Sequence, residues 1–251
     1  CPTYNSEKYI KRTLEMLLKQ KYLPNEVIFC DDGSNDNTLK ILNIYSNIFK
    51  KKKVKFKIIK SLHKGPGSAR NKAINQVSSD YICFLDSDDT WNKNKIYILK
   101  KYIRSFPQKN FFIHWETFIK KNNKKKLKHG QKINFKEDLF LQLYKRNSFS
   151  TSAVTCKKKS FKGKLKFDVS LPNAQDYDLW LKISKKIKLQ IIPLSLGCYI
   201  DRKDNITNRY YLKKILSLIK ICYRYRSKVP FDVFILKLLR ILFSSQWLRV
   251  I

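Results

Sequence analysis

No stretch of the 251-residue sequence reaches the ~18 consecutive apolar residues of a membrane-spanning helix, so none is expected to span a bilayer. No signal-peptide pattern opens the chain. It begins Cys1-Pro2-Thr3-Tyr4-Asn5, and a loop motif with nothing before it reads as a fragment lacking its first strand. The six cysteines (Cys1, Cys30, Cys83, Cys156, Cys198, Cys222) form no Cys-x-x-Cys pair and no Cys/His cluster, which argues against zinc. Cys30 and Cys83 sit within apolar strand patterns, where a thiol acts as a small buried hydrophobe, and this suits a reducing compartment. Acidic residues are few: 19 against 54 basic ones, for a net charge of +35. That balance attracts polyanions such as nucleic acid, anionic lipid headgroups or phosphorylated substrates. Much of it lies in runs at Lys50 to Lys53, Lys120 to Lys128 and Lys157 to Lys159. Solvated loops explain those runs as well as anion contacts do, so none marks a site.

What the chain does have is a globular composition, 43% hydrophobic and 14% aromatic, with length for one large α/β domain or a domain plus a tail. Its organising stretch is Tyr81 to Trp91, YICFLDSDDTW. Tyr81 to Leu85 reads as a strand buried on both faces. It stops at Asp86, Ser87, Asp88 and Asp89, three carboxylates in four residues. These repel one another unless a cation or a donor-rich ligand compensates them. Hard ions such as Mg²⁺ bind one or two carboxylates together with phosphate oxygens, and α/β sheets bind ligands beyond the carboxyl ends of their strands. A solvated turn capping the next helix is the plainer alternative.

In chain order, Ile10, Leu14, Leu17 and Leu18 recur at helical spacing, and Glu26 to Cys30 is a short buried strand ending at Asp31-Asp32-Gly33-Ser34. A second helix follows from Leu39 to Ile48, then an edge-type strand at Val54, Phe56 and Ile58, then a third helix from Ser68 to Val77 after a Gly-Pro-Gly loop. This alternation predicts parallel strands with right-handed crossovers, and two acidic turns opening onto one crevice if their strands are neighbours. Beyond Trp91, helices are expected at Lys93 to Ser105 and Phe135 to Arg146, and a strand at Phe111 to Phe118. Lys120 to Lys132 reads as an exposed connection, and Ile191 to Ile200 as one or two short strands. From Tyr210 onward Leu212, Ile215, Leu216 and Ile219 oppose Lys213, Lys214, Lys220 and Arg224, and Phe234 to Val250 repeats the pattern. Basic amphipathic helices either lie on membrane surfaces or pack on the domain or a partner.

The motifs Pro2-Thr3-Tyr4-Asn5, Asp31-Asp32-Gly33-Ser34 with Asp36 and Thr38, Gly67-Ser68-Ala69-Arg70-Asn71, Asp86-Ser87-Asp88-Asp89 and Gln175-Asp176-Tyr177-Asp178-Leu179-Trp180 occur in that order. Their sequence resembles the family 2 glycosyltransferases of bacterial polysaccharide and lipopolysaccharide synthesis, over roughly Cys1 to Asp201. The resemblance implies an α/β, Rossmann-like A-type glycosyltransferase fold with a mostly parallel central sheet and C-terminal amphipathic helices. Residues 1–205 would be the catalytic domain, 1–105 its nucleotide-sugar half and 106–205 its acceptor half, with 206–251 a basic tail. It implies an inverting enzyme using a UDP-sugar donor, a saccharide or lipid-linked acceptor and Mn²⁺ or Mg²⁺. Pro2, Thr3 and Tyr4 would lie against uracil, Glu7 near the ribose, and Asp32 would accept from the uracil imide. Arg70 would help hold the nucleotide, Asp86 and Ser87 would sit near ribose or donor sugar, Asp88 would bind the metal, and Asp176 would be the catalytic base. Gln175 departs from the family pattern, which has an acidic residue there. Asp176 and Asp178 are equally placed to serve the helix dipole instead. The expected location is cytoplasmic, peripheral on an anionic membrane, with no nucleic-acid partner.

Three other classes compete. Asp86-Ser87-Asp88-Asp89-Thr90 also fits the D-x-D-x-T nucleophile motif of haloacid-dehalogenase-type phosphatases, but no later Gly-Asp-x-x-x-Asp follows. A nucleotidyltransferase would need a Gly-x-Gly-Thr-Arg loop, which is absent. A basic nucleic-acid or membrane-binding module would leave both acidic strand ends unexplained, since they repel phosphate backbones.

Overall fold

A computed structural model of the chain describes residues 1–120, 123–201 and 211–243. Three strands, β1 (Pro2–Thr3), β2 (Glu26–Asp31) and β3 (Lys55–Lys60), form a parallel sheet in the order β1-β2-β3. The crossovers are α1 (Glu7–Leu18) and α2 (Thr38–Lys51). Helix α1 buries Ile10, Leu14 and Leu17, the stripe its spacing predicts, and α2 buries Leu42 and Phe49. Phe49 stacks on Phe56 at 4.9 Å, and Phe56 lies 5.5 Å from Phe29, so β2 and β3 share one apolar layer with α2. The alternating lysines of β3 place it at the sheet edge, as expected.

After α3 (Pro66–Gln76) the pattern changes. Strand β4 (Tyr81–Cys83) joins a second sheet with β5 (Thr90–Trp91), β6 (Phe111–Lys120), β7 (Asn123–Leu127), β8 (Val154–Lys157) and β9 (Leu189–Asp201). Its order is β4-β8-β6-β9-β5, with β7 on β6. The alternation predicts a parallel partner for β4, whereas it pairs antiparallel with β8, Cys83 opposite Thr155. The partner lies about seventy residues downstream, beyond what local pattern can see. Strands β6 and β9 pair in parallel, with register shifts around Trp115. The expected exposed connection after Lys120 contains β7, antiparallel to β6 with Phe118 opposite Lys125. An edge strand keeps one side in water, so lysines are tolerated there. A cavity of about 860 Å³ separates the sheets, lined by Val27 and Ile28 on one side and Tyr81 and Ile82 on the other. It runs along β4 as far as Leu85, and Arg70 also lines it.

Helix α4 (Lys95–Ser105) covers β9, and α5 (Leu139–Lys145) and α6 (Gln175–Ile183) cover the other face. Trp180 of α6 is fully buried against Phe84, Phe111 and Phe149. Removing such a ring costs about 3–5 kcal/mol, so it pins the helix that carries Asp176. Helices α7 (Tyr211–Arg224) and α8 (Phe231–Phe243) lie within the expected tail, and Ile221, Cys222, Phe234 and Ile241 belong to the same core. The predicted helix beyond Phe243 falls outside the described residues. No helix among the described residues is long and apolar enough to cross a membrane.

Candidate active site

The acidic turns sit at one rim, bridged by the loop after β1. Thr3 Oγ1 donates to Asp31 Oδ1 at 3.3 Å and Asn5 N donates to Ser34 Oγ at 2.9 Å, fixing that loop to the first turn. Ser6 Oγ lies 3.0 Å from Ser87 Oγ, fixing it to the second. Helix α1 supports the second turn from below: Thr13 Oγ1 donates to Ser87 O at 2.7 Å and Arg12 Nη2 to Asp88 O at 2.8 Å. Strands β2 and β4 are therefore not direct sheet neighbours, yet their acidic ends share one crevice.

Asp31 and Asp32 are buried and face inward. Asp32, 2% exposed, accepts from Lys64 N at 3.0 Å and Gly65 N at 2.7 Å, with His63 Nδ1 at 2.9 Å from Oδ2. Gly65 has φ +86°, a conformation glycine adopts without penalty, and it turns those amides toward the carboxylate. His63 stacks on the exposed ring of Tyr4 at 4.1 Å. Pro2 and Thr3, before Tyr4 in the chain, are buried. Glu7 Oε2 accepts from Asn37 N and Nδ2, both at 3.0 Å, at the start of α2.

The second turn is more open. Asp86 is 34% exposed at its side chain, and Oδ1 meets Arg70 Nη2 at 2.5 Å. Arg70 also lies over the Phe167 ring, 5.3 Å from its centroid. Ser87 and Asp88 are half-buried, while Asp89 is buried. Loss of water, then the charges of Asp86 and Asp88, push the Asp89 carboxyl well above the ordinary range. Among the described residues no group of three or more His, Cys, Asp or Glu can hold an ion by itself. Asp88 at a partly open rim fits an ion that takes its remaining oxygens from a diphosphate and water.

Asp176 stands on the first turn of α6 and keeps part of its surface open. Thr151 Oγ1 donates to its Oδ2 at 3.1 Å. Burial raises its carboxyl, and the Tyr177 backbone N–H, Arg70 and Thr151 oppose that rise. Arg70 thus touches Asp86 and acts on Asp176, which brings the acidic turn and α6 together. Asp178 points the other way: it is buried and meets Arg224 Nη1 at 2.6 Å. That separates the two acids which the sequence left equivalent. Gln175 is buried, with Nε2 donating to Leu171 O at 2.7 Å and its amide packed on Gly67. A neutral side chain fits this spot, where an acid would face the Leu171 carbonyl. Sequence reasoning missed His63, Thr151, Ser152 and Lys95, because isolated Thr, Ser and Lys residues carry no spacing signal.

A crevice at the carboxyl ends of strands, rimmed by open carboxylates and closed by a helix-borne acid, defines a group-transfer enzyme of the α/β class. The family model described as glycosyl transferase family 2 matches residues 1–163, and the chain belongs to that family. It is a glycosyltransferase. An uncharacterized glycosyltransferase of Methanocaldococcus jannaschii is 30% identical over 234 residues, covering 91% of this chain and 79% of the relative. The Escherichia coli UDP-Glc:alpha-D-GlcNAc-diphosphoundecaprenol beta-1,3-glucosyltransferase WfgD is 30% identical over 201 residues, covering 78% and 73%. The fold matches Staphylococcus aureus TarS 1–349 in complex with UDP-GlcNAc at TM-score 0.74 and 22% identity, over 97% of this chain and 71% of that one. The longer TarS chain is spanned to 43% of its length. Mannosyltransferase PcManGT of Pyrobaculum calidifontis, in complex with GDP-Man and Mn²⁺, matches at TM-score 0.68 and 15% identity, over 98% and 69%. The expected A-type glycosyltransferase fold is thus the observed one, with a mixed arrangement in place of the mostly parallel sheet: β4-β8, β6-β8, β6-β7 and β5-β9 are antiparallel.

Proposed function

We propose that the chain is an inverting transferase that moves a sugar from a UDP-sugar to a hydroxyl of a saccharide or lipid-linked saccharide, with Mn²⁺ or Mg²⁺ bound at Asp88. The observation that carries this reading is Arg70, which is paired with Asp86 of the open turn and whose charge acts on the Asp176 carboxyl. The donor class is supported by the UDP-Glc in the name of WfgD and the UDP-GlcNAc complex of TarS, the ion by the Mn²⁺ complex of PcManGT.

In this reading Pro2, Thr3 and Tyr4 flank the uracil. Asp32 accepts from its imide with lone-pair capacity left on Oδ1, since a carboxylate offers about four acceptor sites. Glu7 lies toward the ribose, Asp86 and Ser87 toward ribose or donor sugar, and Arg70 holds the nucleotide. The chemistry a bound divalent ion supplies is charge neutralisation on the departing diphosphate. Asp176 takes the acceptor proton as that oxygen bonds to the anomeric carbon from the face opposite the diphosphate. The bond to the diphosphate breaks with its electron pair, and configuration inverts. A positioned base contributes typically ~10² to 10⁴-fold.

UDP release from a panel of UDP-sugars with Mn²⁺ or Mg²⁺ tests the reading. Activity is expected in the native chain and lost in D88A and D176N. Phosphate release from a phosphoester, with Asp86 phosphorylated, would replace it with the phosphatase reading.

Helices α7 and α8 expose Leu212, Leu216, Leu239, Leu242 and Phe243 among lysines and arginines, which favours a peripheral cytoplasmic position on anionic membrane. Because α7 contributes to the core, truncation would confuse folding with binding. Flotation with anionic vesicles should instead be weakened in a Leu239→Ser, Leu242→Ser double variant, and equal flotation would refute membrane contact.

A further inference from the structure

We propose that the adjacent residues Thr151 and Ser152 are positioning residues for the transfer, Thr151 setting the Asp176 carboxylate and Ser152 setting the Asp86–Asp89 turn. The proposal rests on the reading of Asp176 as base. Both residues lie in a short 3-10 turn, Thr151–Ala153, that runs into β8. Strand β8 holds this turn against the exit of β4, because Cys83 pairs with Thr155 and Phe84 N donates to Val154 O at 3.3 Å. The turn is buried, so it is a fixed part of the wall between the acidic rim and α6.

Each residue makes a different connection. Ser152 Oγ accepts from Asp86 N at 3.2 Å, and its hydroxyl acts to lower the Asp89 carboxyl against the rise that burial imposes. A hydroxyl has one proton and two lone pairs, so it can accept from the first and donate to the second. The Ser152 carbonyl receives Lys95 Nζ at 2.9 Å. Lys95 is fully buried over the Trp91 ring at 3.6 Å, and burial lowers it to about 7. One residue therefore anchors the backbone start of the acidic turn and the helix after it. Thr151 does nothing of this kind: its hydroxyl goes to Asp176 Oδ2. Donating to the charged form favours that form, so Thr151 opposes part of the rise that burial imposes on the base. The other charges facing Asp176 are Arg70 from α3, Asp86 from the turn after β4 and Lys214 from α7. None of them comes from the turn that carries Thr151.

The test is a ¹³C NMR titration of aspartate-labelled protein, with the Asp176 signal assigned by its loss in D176N. In T151V the Asp176 midpoint should rise by roughly 0.5 to 1 pH unit, the equivalent of one lost hydrogen bond, and T151S should restore it. Where a UDP-sugar is turned over, the low-pH limb of kcat/KM should move the same way. In S152A the Asp176 midpoint should stay in place, while UDP affinity measured calorimetrically with Mn²⁺ should fall roughly 5-fold. An unchanged midpoint in T151V would overturn the role of Thr151. A shift in S152A as large as in T151V would overturn the division of labour. A native chain that turns over no UDP-sugar would refute the proposed function but leave the titration to decide the Thr151–Asp176 link.

Discussion

The two acidic strand ends look alike in sequence and are built to opposite plans. At the end of β2, Asp31 and Asp32 are turned inward, and backbone amides, Thr3, Ser34 and His63 meet their oxygens. At the end of β4, Asp86 and Asp88 remain partly open while Asp89 is sunk beneath them. Carboxylates met by several protein donors hold a loop in shape, whereas clustered, partly open ones repel each other unless a cation compensates them. The difference is one of support: the first turn is held by the fold's own donors, and the second keeps carboxylate surface open. The largest effect should follow from attacking the second. Asp88→Asn is expected to lower metal-dependent UDP-sugar turnover at least about 100-fold, in line with the several kcal/mol a metal contributes, while the melting temperature stays near that of the native chain. Retained turnover would break the comparison outright.

Attacking the first turn should reverse that pattern. Asp31 accepts from Ser34 N at 3.0 Å and from Ser34 Oγ at 2.5 Å, both bonds to a charged and buried oxygen. Hydrogen bonds to charged groups are worth about 1.5–3 kcal/mol, so Asp31→Asn should cost about 2 kcal/mol in urea unfolding. Folded D31N should still bind UDP. A variant as stable as the native chain would show that the saturation is idle.

Acid should also tell the turns apart. Burial disfavours the charge on Asp36, next to the first turn, but hydrogen bonds from Thr38 and the Glu7 amide outweigh it and hold the carboxyl below its ordinary 3.8. Stability from that group is present above 3.8 and is lost as pH falls through its lower folded value. Asp89 is raised, so its contribution has the other sign: fully present below the unfolded value, and lost as pH rises through the folded one. In EDTA, stability measured from pH 4 to 8 should therefore decline with rising pH more in the native chain than in D89N. One proton limits the difference to about 1.4 kcal/mol per pH unit. Matching curves would mean that Asp89 carries no penalty and that the turns differ less than their exposure suggests.

Legibility divides along the same line. The amino-terminal part was readable because each helix carries its own 3.6-residue stripe and each strand its own apolar run; Ile10, Leu14 and Leu17 of α1 face inward as spaced. Pairing across long separations was not. The ladder of β4 with β8 and the register shifts of β6 against β9 depend on residues far downstream. The lysines of Lys124 to Lys126 hide a strand because an edge position removes the apolar signal. At the site, clustered Asp86 to Asp89 announced themselves, but the choice between Asp176 and Asp178 rested on Arg224, forty-six residues away from Asp178. Thr151 and Ser152 matter through where β8 puts them, which no local pattern encodes.

The smallest effect expected is at His63, and it measures how redundant the first turn is. Its ring is 57% exposed, stacked on Tyr4 and bonded to Asp32, which keeps Lys64 N and Gly65 N as donors without it. His63→Phe retains the aromatic stack and removes only the ring nitrogen. Exposed charged contacts are worth 0–1 kcal/mol, so unfolding should change by less than about 1 kcal/mol. A loss comparable to that of D31N would mean that the imidazole, rather than the two amides, fixes the Asp32 carboxylate.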